Sequence, residues 1–391
     1  MEQKFVRIPR EEYPARWEKV QRIMKAHGLD MILTYSDERA TYGNAYARYY
    51  ADLQTHFEPA LILFLPDRDP LLLVGPETDG YAMERSAIKD IIVLSEFSAE
   101  DEDYPFSVVV PLKDIIGKYI PGGPKKVGFA PKVHMGAAIY EAMLKACSSA
   151  EIIEADKLIE PMRGIKSESE IAVIRKAYEI AELGMKAAID ALKPGITERE
   201  LAAEAEYVMR RAGAEYYGID PIIASGPNVK HSLARTTTRT IEENDAVIIT
   251  LAPRYEGYHG AIARTVLLGN PRPEIKTAAE AMIRAQETCG KNLLPGNVGS
   301  EVEAMGRKIM AEAGYEKNFM YSGLHSVGVI EFEPPILGPS STTVIEKNMV
   351  ISVDIPLFED EVVGGMRLEE GYLITEDGPK KMSGIPFMVE K

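Results

Sequence analysis

Short apolar runs alternate with amphipathic segments between residues 16 and 149. The apolar runs are MILTY at 31–35, ALILFL at 60–65, LLLV at 71–74 and DIIVL at 90–94. Their length and their sharp ends predict buried strands. The segments RWEKVQRIMKAHGL and GAAIYEAMLKACSSA carry apolar residues at helical spacing. This alternation predicts an α/β domain built on a mostly parallel or mixed sheet.

A second unit begins near Glu160. Ser167 and Glu170 have the spacing of a capping box, and an apolar face with helical period runs from Ile171 to Leu192. The helix is expected to end at the Lys-Pro-Gly sequence at 193–195. The pattern therefore predicts two domains, 1–160 and 161–391.

The second unit contains an internal repeat. LKPGITERELAAEAEYVMRRAGAE at 192–215 is echoed by LLPGNVGSEVEAMGRKIMAEAGYE at 293–316 without a gap. A Pro-Gly turn, a helix and an Ala-Gly stop recur at one offset, which indicates a duplicated structural unit. Two such units related by a pseudo-twofold axis would place antiparallel strands inside, helices outside and a cleft between them.

Composition excludes several functional classes. The formal net charge is −15, and no cluster of Lys or Arg is present to attract nucleic acid. No apolar stretch approaches the ~18 residues that crossing a membrane requires. With Cys147 and Cys289 as its only cysteines, the chain has no disulfide framework, and we expect a cytoplasmic protein.

Several segments of the second unit carry a family signature. They are RGIKSESEIAVIRKA at 163–177, AVIITLAPRYEGYHGAIARTVLLG at 246–269, GLHSVGVIEFEPP at 323–335, MVISVDIP at 349–356 and GGMRLEEG at 364–371. In these segments the chain resembles the creatinase/aminopeptidase P family, the pita-bread or Xaa-Pro peptidase-like hydrolases. The resemblance implies a creatinase-like α/β domain over 1–160, followed by an α+β pita-bread catalytic domain over 161–391 with a pseudo-twofold duplication.

Two positions depart from the metal-dependent members of that family. Those members carry aspartates where this chain has Thr250 and Ala261, and the two aspartates help to hold two divalent cations. The ligands that the resemblance leaves are His325, Asp354 and Glu369. One nitrogen and two carboxylates can hold a single ion such as Mn or Co, but they neutralise two divalent ions poorly. A metal-dependent Xaa-Pro aminopeptidase or dipeptidase is therefore the alternative prediction.

The site pattern is more similar to the metal-free creatinase branch, which also lacks both aspartates. The main prediction is a metal-independent hydrolase without a cofactor, cleaving a C–N bond of a small carboxylate-bearing amide or amidine. The histidine that the branch uses in catalysis corresponds to His231, which would act as general base and then general acid. The remaining catalytic candidates, predicted to act as fixed hydrogen-bond partners, are His325, Glu333, Asp354 and Glu369.

The substrate contacts of creatinase itself are not reproduced. Ala263 and Ile336 stand where that enzyme has a glutamate and an arginine that grip creatine. Arg48, with Tyr46 near it, corresponds to an arginine that binds the substrate carboxylate, and His259 is a further substrate-binding candidate.

The resemblance also implies a homodimer in which one subunit's N-terminal domain covers the other's cleft. A third possibility is a non-catalytic pita-bread module that binds peptides or proteins.

Overall fold

The computed structural model describes residues 5–39, 41–99 and 104–391. It divides the chain into one compact unit at Ile8–Met162 and another at Arg163–Lys391, which also includes residues 5–7. No helix in the described part of the chain combines the length and the apolarity that crossing a membrane requires.

The N-terminal unit alternates helices and strands. Its helices are α1 (Glu12–His27), α2 (Ala45–Ala51), α3 (Asp79–Arg85), α4 (Leu112–Tyr119), α5 (Ala137–Ala146) and α6 (Asp156–Ile159). Its strands are β1 (Met31–Ser36), β2 (Ala60–Leu65), β3 (Arg68–Val74), β4 (Ile91–Leu94), β5 (Val109–Val110), β6 (Lys126–Ala130) and β7 (Glu151–Glu154).

These strands form one mixed sheet in the order β5-β4-β3-β2-β1-β6-β7. The pairs β1–β2 and β2–β3 are antiparallel, whereas the other pairs are parallel. The central strands are buried along their whole length because helices cover the sheet. The predicted α/β domain is confirmed.

The C-terminal unit carries four long helices and the larger sheet. The helices are α7 (Glu168–Ala191), α8 (Glu198–Arg211), α9 (Pro273–Asn292) and α10 (Gly299–Glu312). Its strands are β8 (Tyr216–Tyr217), β9 (Ile222–Ser225), β10 (Ala246–Leu251), β11 (Pro253–Tyr255), β12 (Tyr258–His259), β13 (Ile262–Leu267), β14 (Leu324–Ser326), β15 (Glu333–Ile336), β16 (Val350–Asp360), β17 (Gly364–Thr375), β18 (Gly378–Lys381) and β19 (Val389–Glu390).

Helix α7 begins as its sequence predicts. The Ser167 hydroxyl accepts a hydrogen bond from the Glu170 N–H at 3.1 Å, and the Glu170 carboxylate accepts one from the Ser167 N–H at 2.8 Å. This reciprocal pair satisfies two backbone donors that would otherwise lack partners at the start of the helix.

The duplicated sequence is also duplicated in structure. The Gly195 N–H donates to the Ile241 carbonyl at 2.9 Å, and in the second copy the Gly296 N–H donates to the Ile345 carbonyl at 2.9 Å. Both glycines adopt left-handed φ values, 94° and 97°, that favour glycine. The same turn therefore ties the start of each helix pair to its sheet, and the pita-bread prediction is confirmed.

The large sheet has the order β15-β14-β16-β17-β13-β10-β9, with β18 beside β17 and β19 beside β13. The pseudo-twofold axis lies between β13 and β17, where Ala263 pairs with Glu369. Further out, Thr250 of β10 pairs with Ala263, and Asp354 of β16 pairs with Glu369. Thr250 is thus the structural counterpart of Asp354, and Ala263 is the counterpart of Glu369.

The two faces of this sheet have different surroundings. Ile351, Val353 and Ile355 of β16 pack in one apolar core with residues of α9 such as Met282 and Ala285. Because successive strand residues point to opposite faces, Ser352 and Asp354 project away from that core. The polar face of β16 is the one that carries the candidate site.

Candidate functional site

One row of side chains crosses the sheet on the face opposite the apolar core. It runs from Thr250 through Ala263 and Glu369 to Asp354, and every neighbouring pair is in direct register. Residues directly opposite one another in antiparallel strands project to the same face. The row therefore carries two carboxylates on the second half of the duplicated unit and none on the first half.

Three buried side chains form a cluster at the second half of this face. Ligand atoms of His325, Glu331 and Glu369 lie within 4.8 Å of one another, and the residues are 1%, 5% and 0% exposed. The His325 Nε2 atom is 3.7 Å from Glu369 Oε1, which also accepts a hydrogen bond from the Ser352 hydroxyl at 2.8 Å. Glu369 Oε2 accepts no hydrogen bond from any described residue. We call these three residues the ligand trio, because one imidazole and two carboxylates form a set that can bind a metal ion.

Burial and mutual charge shift the pKa values of the trio. Burial, followed by the charge of Glu369, raises the pKa of Glu331 to about 7. Burial would also raise the pKa of Glu369, but the charge of Arg367 and the close approach of His325 outweigh it and lower this pKa to about 2. Burial alone would lower the pKa of His325, but the closeness of Glu369 and the charges of both carboxylates raise it. A divalent cation would stabilise both carboxylates in their charged form.

Asp354 does not belong to the trio. The Arg367 guanidinium donates to its carboxylate at 2.9 Å, and the Tyr321 hydroxyl donates to the same oxygen at 2.8 Å. The ligand set predicted from the sequence, His325, Asp354 and Glu369, stays a prediction, while the structure brings Glu331 rather than Asp354 close to His325 and Glu369. Asp354 instead fixes Arg367, whose guanidinium is 3.3 Å from Glu369 Oε2.

Sequence reasoning missed Glu331 although it lies in the same segment as His325. Glu331 and Glu333 flank Phe332, whose ring packs on the His325 imidazole with 4.3 Å between centroids. Acids separated by one residue project to the same face of a regular strand, but Glu331 lies in the bend before β15 and Glu333 is the first residue of that strand. The spacing of the two acids therefore did not indicate that only Glu331 lies beside His325.

Glu333 lies in a buried ionic cluster of its own. Its carboxylate is 3.1 Å from Arg163 Nε and 3.2 Å from Lys166 Nζ, and all three side chains are 1% exposed. Lys166 also donates to the Ser326 hydroxyl at 2.5 Å. The structure therefore ties Glu333 to the segment before α7 and does not bring it into the ligand trio. Its predicted catalytic role stays a prediction.

His231 lies at a different place from the trio. It is exposed, and it lines a cleft together with Lys230 and the turn at the end of β16, where Glu359, Asp360 and Glu361 supply an acidic wall. Its imidazole makes no hydrogen bond or ion pair with the described residues of the trio. The predicted role as general base stays a prediction.

The predicted substrate contacts Arg48 and Tyr46 are buried in helix α2 of the N-terminal unit. Arg48 is 6% exposed and forms an ion pair with Asp52 at 3.2 Å. The Tyr46 hydroxyl donates to Asp156 at 3.2 Å. Both side chains therefore have partners within their own unit, and their predicted contact with substrate stays a prediction.

His259 is fully buried, with Nδ1 3.0 Å from the Gly328 carbonyl. Burial, reinforced by the charge of Arg254, lowers the pKa of His259 to about 3, so the ring is neutral. In that state Nδ1 carries the proton that the carbonyl accepts, and Nε2 presents a lone pair. Nε2 has no hydrogen-bond partner in the part of the chain that the structure describes.

Comparisons with known proteins agree with this geometry. A family profile described as Metallopeptidase family M24 matches residues 172–376, and one described as Creatinase/Prolidase N-terminal domain matches residues 16–165. The Xaa-Pro dipeptidase of Pyrococcus horikoshii is 35% identical over 263 residues, which are 67% of this chain and 74% of the relative. The Xaa-Pro dipeptidase of Pyrococcus furiosus is 35% identical over 235 residues, which are 60% of this chain and 67% of the relative.

Solved structures show the same likeness. The prolidase from Pyrococcus horikoshii OT3 superposes with a TM-score of 0.83 at 28% identity, over 95% of this chain and 99% of that one. The prolidase from Pyrococcus furiosus gives 0.79 at 26% identity, over 94% and 99%.

These likenesses correct two expectations from the sequence. Relatives named Xaa-Pro dipeptidase and a match to a metallopeptidase family overturn the metal-independent creatinase-like hydrolase as the main prediction. The expected absence of a cofactor is wrong for the same reason, and the buried trio of His325, Glu331 and Glu369 agrees with that correction. The alternative prediction, a metal-dependent Xaa-Pro peptidase, is the one that the comparisons favour.

Proposed function

The chain belongs to metallopeptidase family M24 and carries a creatinase/prolidase N-terminal domain, and from this premise we propose that it is a metal-dependent peptidase that hydrolyses Xaa-Pro dipeptides. As a member of this family it is a hydrolase acting on C–N bonds. The observation that carries the proposal is the buried ligand trio, in which His325, Glu331 and Glu369 converge within 4.8 Å.

The trio fits one divalent cation. It offers one imidazole nitrogen and two carboxylates. Glu369 Oε2 is buried beside the Arg367 guanidinium at 3.3 Å but accepts no hydrogen bond from the described residues, and a bound cation would satisfy it. Three protein ligands also leave coordination positions for water and substrate. When bound, the ion supplies a lowered pKa for its water and polarisation of a carbonyl group.

A second divalent cation does not fit the described side chains. Thr250, Ala261 and Ala263 hold the first half of the sheet face, and none of them carries a charge. Two divalent ions bring four positive charges into a buried site, and they require more carboxylates than the trio provides. We therefore propose one cation per chain.

The surrounding residues hold the trio in place. The Ser352 hydroxyl donates to one oxygen of Glu369, and the Arg367 guanidinium lies beside the other. Asp354 and Tyr321 fix Arg367 in turn. Hydrogen-bonded neighbours of this kind orient ligands and tune their charge. Because the whole group is buried, bulk water is largely excluded from the reacting peptide bond.

Metal binding and peptide hydrolysis test this proposal together. Chelator-treated protein is titrated with Mn²⁺ in a calorimeter and assayed on Ala-Pro, with Ala-Ala as the comparison dipeptide. We expect one Mn²⁺ per chain, recovery of Ala-Pro hydrolysis on metal addition, and at least about 100-fold weaker binding in Glu331→Gln and Glu369→Gln. Glu301→Gln, which changes an exposed acid on α10, is the matched control and should bind as wild type does.

Two results would overturn the proposal. Undiminished Ala-Pro hydrolysis after complete metal removal would show that the ion is not required. Binding of two ions with equal affinity would show that the uncharged half of the sheet face holds a cation after all.

We propose further that the enzyme is a cytoplasmic homodimer whose clefts are shared between subunits. The support is the resemblance to homodimeric family members and the acidic, cysteine-poor composition. Light scattering after size-exclusion chromatography tests the dimer, and a monomer at assay concentration would refute it.

A further inference from the structure

Tyr178 places a buried hydroxyl group against β17, on the face that carries the ligand trio. The side chain is 0% exposed and extends from helix α7. The proton of its hydroxyl has no acceptor among the described residues. A buried O–H group without an acceptor costs about 1–3 kcal/mol. Phenylalanine would fill the same space without that cost. We therefore expect the hydroxyl to donate to an acceptor on a bound molecule.

The position of the hydroxyl is defined by Gly371. A Cβ atom at Gly371 would lie only 2.1 Å from the Tyr178 oxygen, so the glycine is what leaves room for it. Gly371 follows Glu369 by two residues on β17 and therefore faces the same side of the sheet. It is also directly opposite Ser352, whose hydroxyl binds Glu369. The Tyr178 hydroxyl thus reaches the face that carries the ligand trio.

The surroundings keep this hydroxyl protonated. Burial raises the pKa of Tyr178 well above its ordinary value, and the negative charges of Glu369, Glu370 and Glu331 raise it further. The group is therefore a hydrogen-bond donor at neutral pH. The Ala261 backbone N–H donates to the phenol oxygen, which opposes this rise only in part.

We propose that Tyr178 is a catalytic residue that donates a hydrogen bond to the scissile carbonyl oxygen of the dipeptide as negative charge develops on that oxygen. This inference rests on the proposed peptidase function. It supplies a neutral donor on the face that carries the trio, and such a donor stabilises a developing oxyanion where no second cation is bound. The tyrosine keeps its proton throughout, and the water that attacks the carbonyl carbon supplies both the proton of the departing amine and the oxygen of the new carboxylate.

Tyr178→Phe tests the proposal, because it removes one oxygen atom and keeps the ring. We expect kcat for Ala-Pro to fall roughly 100-fold, as on removal of one oxyanion donor, while KM changes by less than about threefold. A phosphinate analogue of the dipeptide, which carries an anionic oxygen in place of the scissile carbonyl, should bind to the Mn²⁺-loaded variant roughly 100-fold more weakly. Mn²⁺ affinity should stay at the wild-type level, and Tm should stay the same or rise because the unsatisfied hydroxyl is removed. Tyr140→Phe, in the N-terminal unit, is the control and should change none of these values.

The possible outcomes separate this inference from the proposed function. If wild type cleaves Ala-Pro and Tyr178→Phe cleaves it equally fast, the inference is overturned and the peptidase function stands. If the variant instead loses Mn²⁺ affinity or unfolds at lower temperature, the tyrosine is a structural residue and the inference is overturned as well. If metal-loaded wild type cleaves no Xaa-Pro dipeptide, both fail.

Discussion

Replacement of Glu333 by glutamine separates a structural role from the catalytic role that the sequence predicts. The substitution keeps the shape of the side chain and removes its charge. The carboxylate that it removes lies 3.1 Å from Arg163 Nε and 3.2 Å from Lys166 Nζ, with all three side chains 1% exposed. Without it, the buried ammonium of Lys166 keeps the Ser326 hydroxyl as a partner but loses this negative charge.

The expected cost follows from this burial. Removing one partner from a buried ion pair costs about 3–5 kcal/mol, because the remaining charge stays desolvated without compensation. In a unit of the size of Arg163–Lys391, each kcal/mol lowers Tm by about 2–4 °C. We therefore expect Glu333→Gln to lower Tm by roughly 6–20 °C and to lower the urea midpoint in parallel.

The assay combines unfolding with activity per folded molecule. Glu333→Gln should retain Ala-Pro hydrolysis within about threefold at temperatures well below its Tm, because Glu333 does not contact the ligand trio. Glu333→Leu combined with Lys166→Met should recover part of the lost stability, since Arg163 is then the one charge of the three-residue cluster that remains after the loss of the Glu333 carboxylate. An unchanged Tm with a large fall in kcat would refute this reasoning and would favour the catalytic role predicted from the sequence.

Two further predictions concern histidines. The pKa of His259 is lowered from 6.5 in the unfolded chain to about 3 in the fold, so the unfolded state binds the extra proton as pH falls below about 6.5. The free energy of unfolding should therefore decline by up to about 5 kcal/mol between pH 6.5 and 3. In urea titrations at a series of pH values, His259→Gln should remove most of this decline. If the variant loses stability with falling pH as wild type does, another group causes the acid sensitivity. His231→Ala, at an exposed position, should leave Mn²⁺ affinity unchanged and the free energy of unfolding within about 0.5 kcal/mol. A fall in kcat under those conditions supports its role as general base, whereas an unchanged kcat would exclude it.

The fold could be predicted from the sequence because its signals are local and repeated. Alternating apolar runs indicated the N-terminal sheet, and the capping box at Ser167 and Glu170 marked the start of α7. The repeat indicated the pseudo-twofold because each copy carries its own Pro-Gly turn and its own helix. Signals of this kind depend on residues that are close together in the sequence or that recur along it, so a single sequence is enough to reveal them.

The site could be predicted only in part because it depends on contacts between strands. His325 and Glu369 were named from the resemblance, whereas Glu331 was not. In the structure Arg367 and Tyr321 donate to Asp354, and Glu331 lies close to His325 and Glu369. A motif gives the residue types in each strand, whereas the partner of a buried carboxylate is set by the register between strands.

The asymmetry of the duplicated sheet agrees with a site for a single cation. When charged, Glu331, Glu369 and Asp354 bring three negative charges, and Arg367 offsets one of them, which leaves a balance that one divalent ion neutralises. Two ions would leave two positive charges uncompensated among buried side chains, because the positions on the first half hold threonine and alanine. The buried hydroxyl of Tyr178 lies against Gly371 on the same face as the ligand trio. In this arrangement helix α7 contributes a neutral hydrogen-bond donor, and the second half of the sheet contributes the ligands.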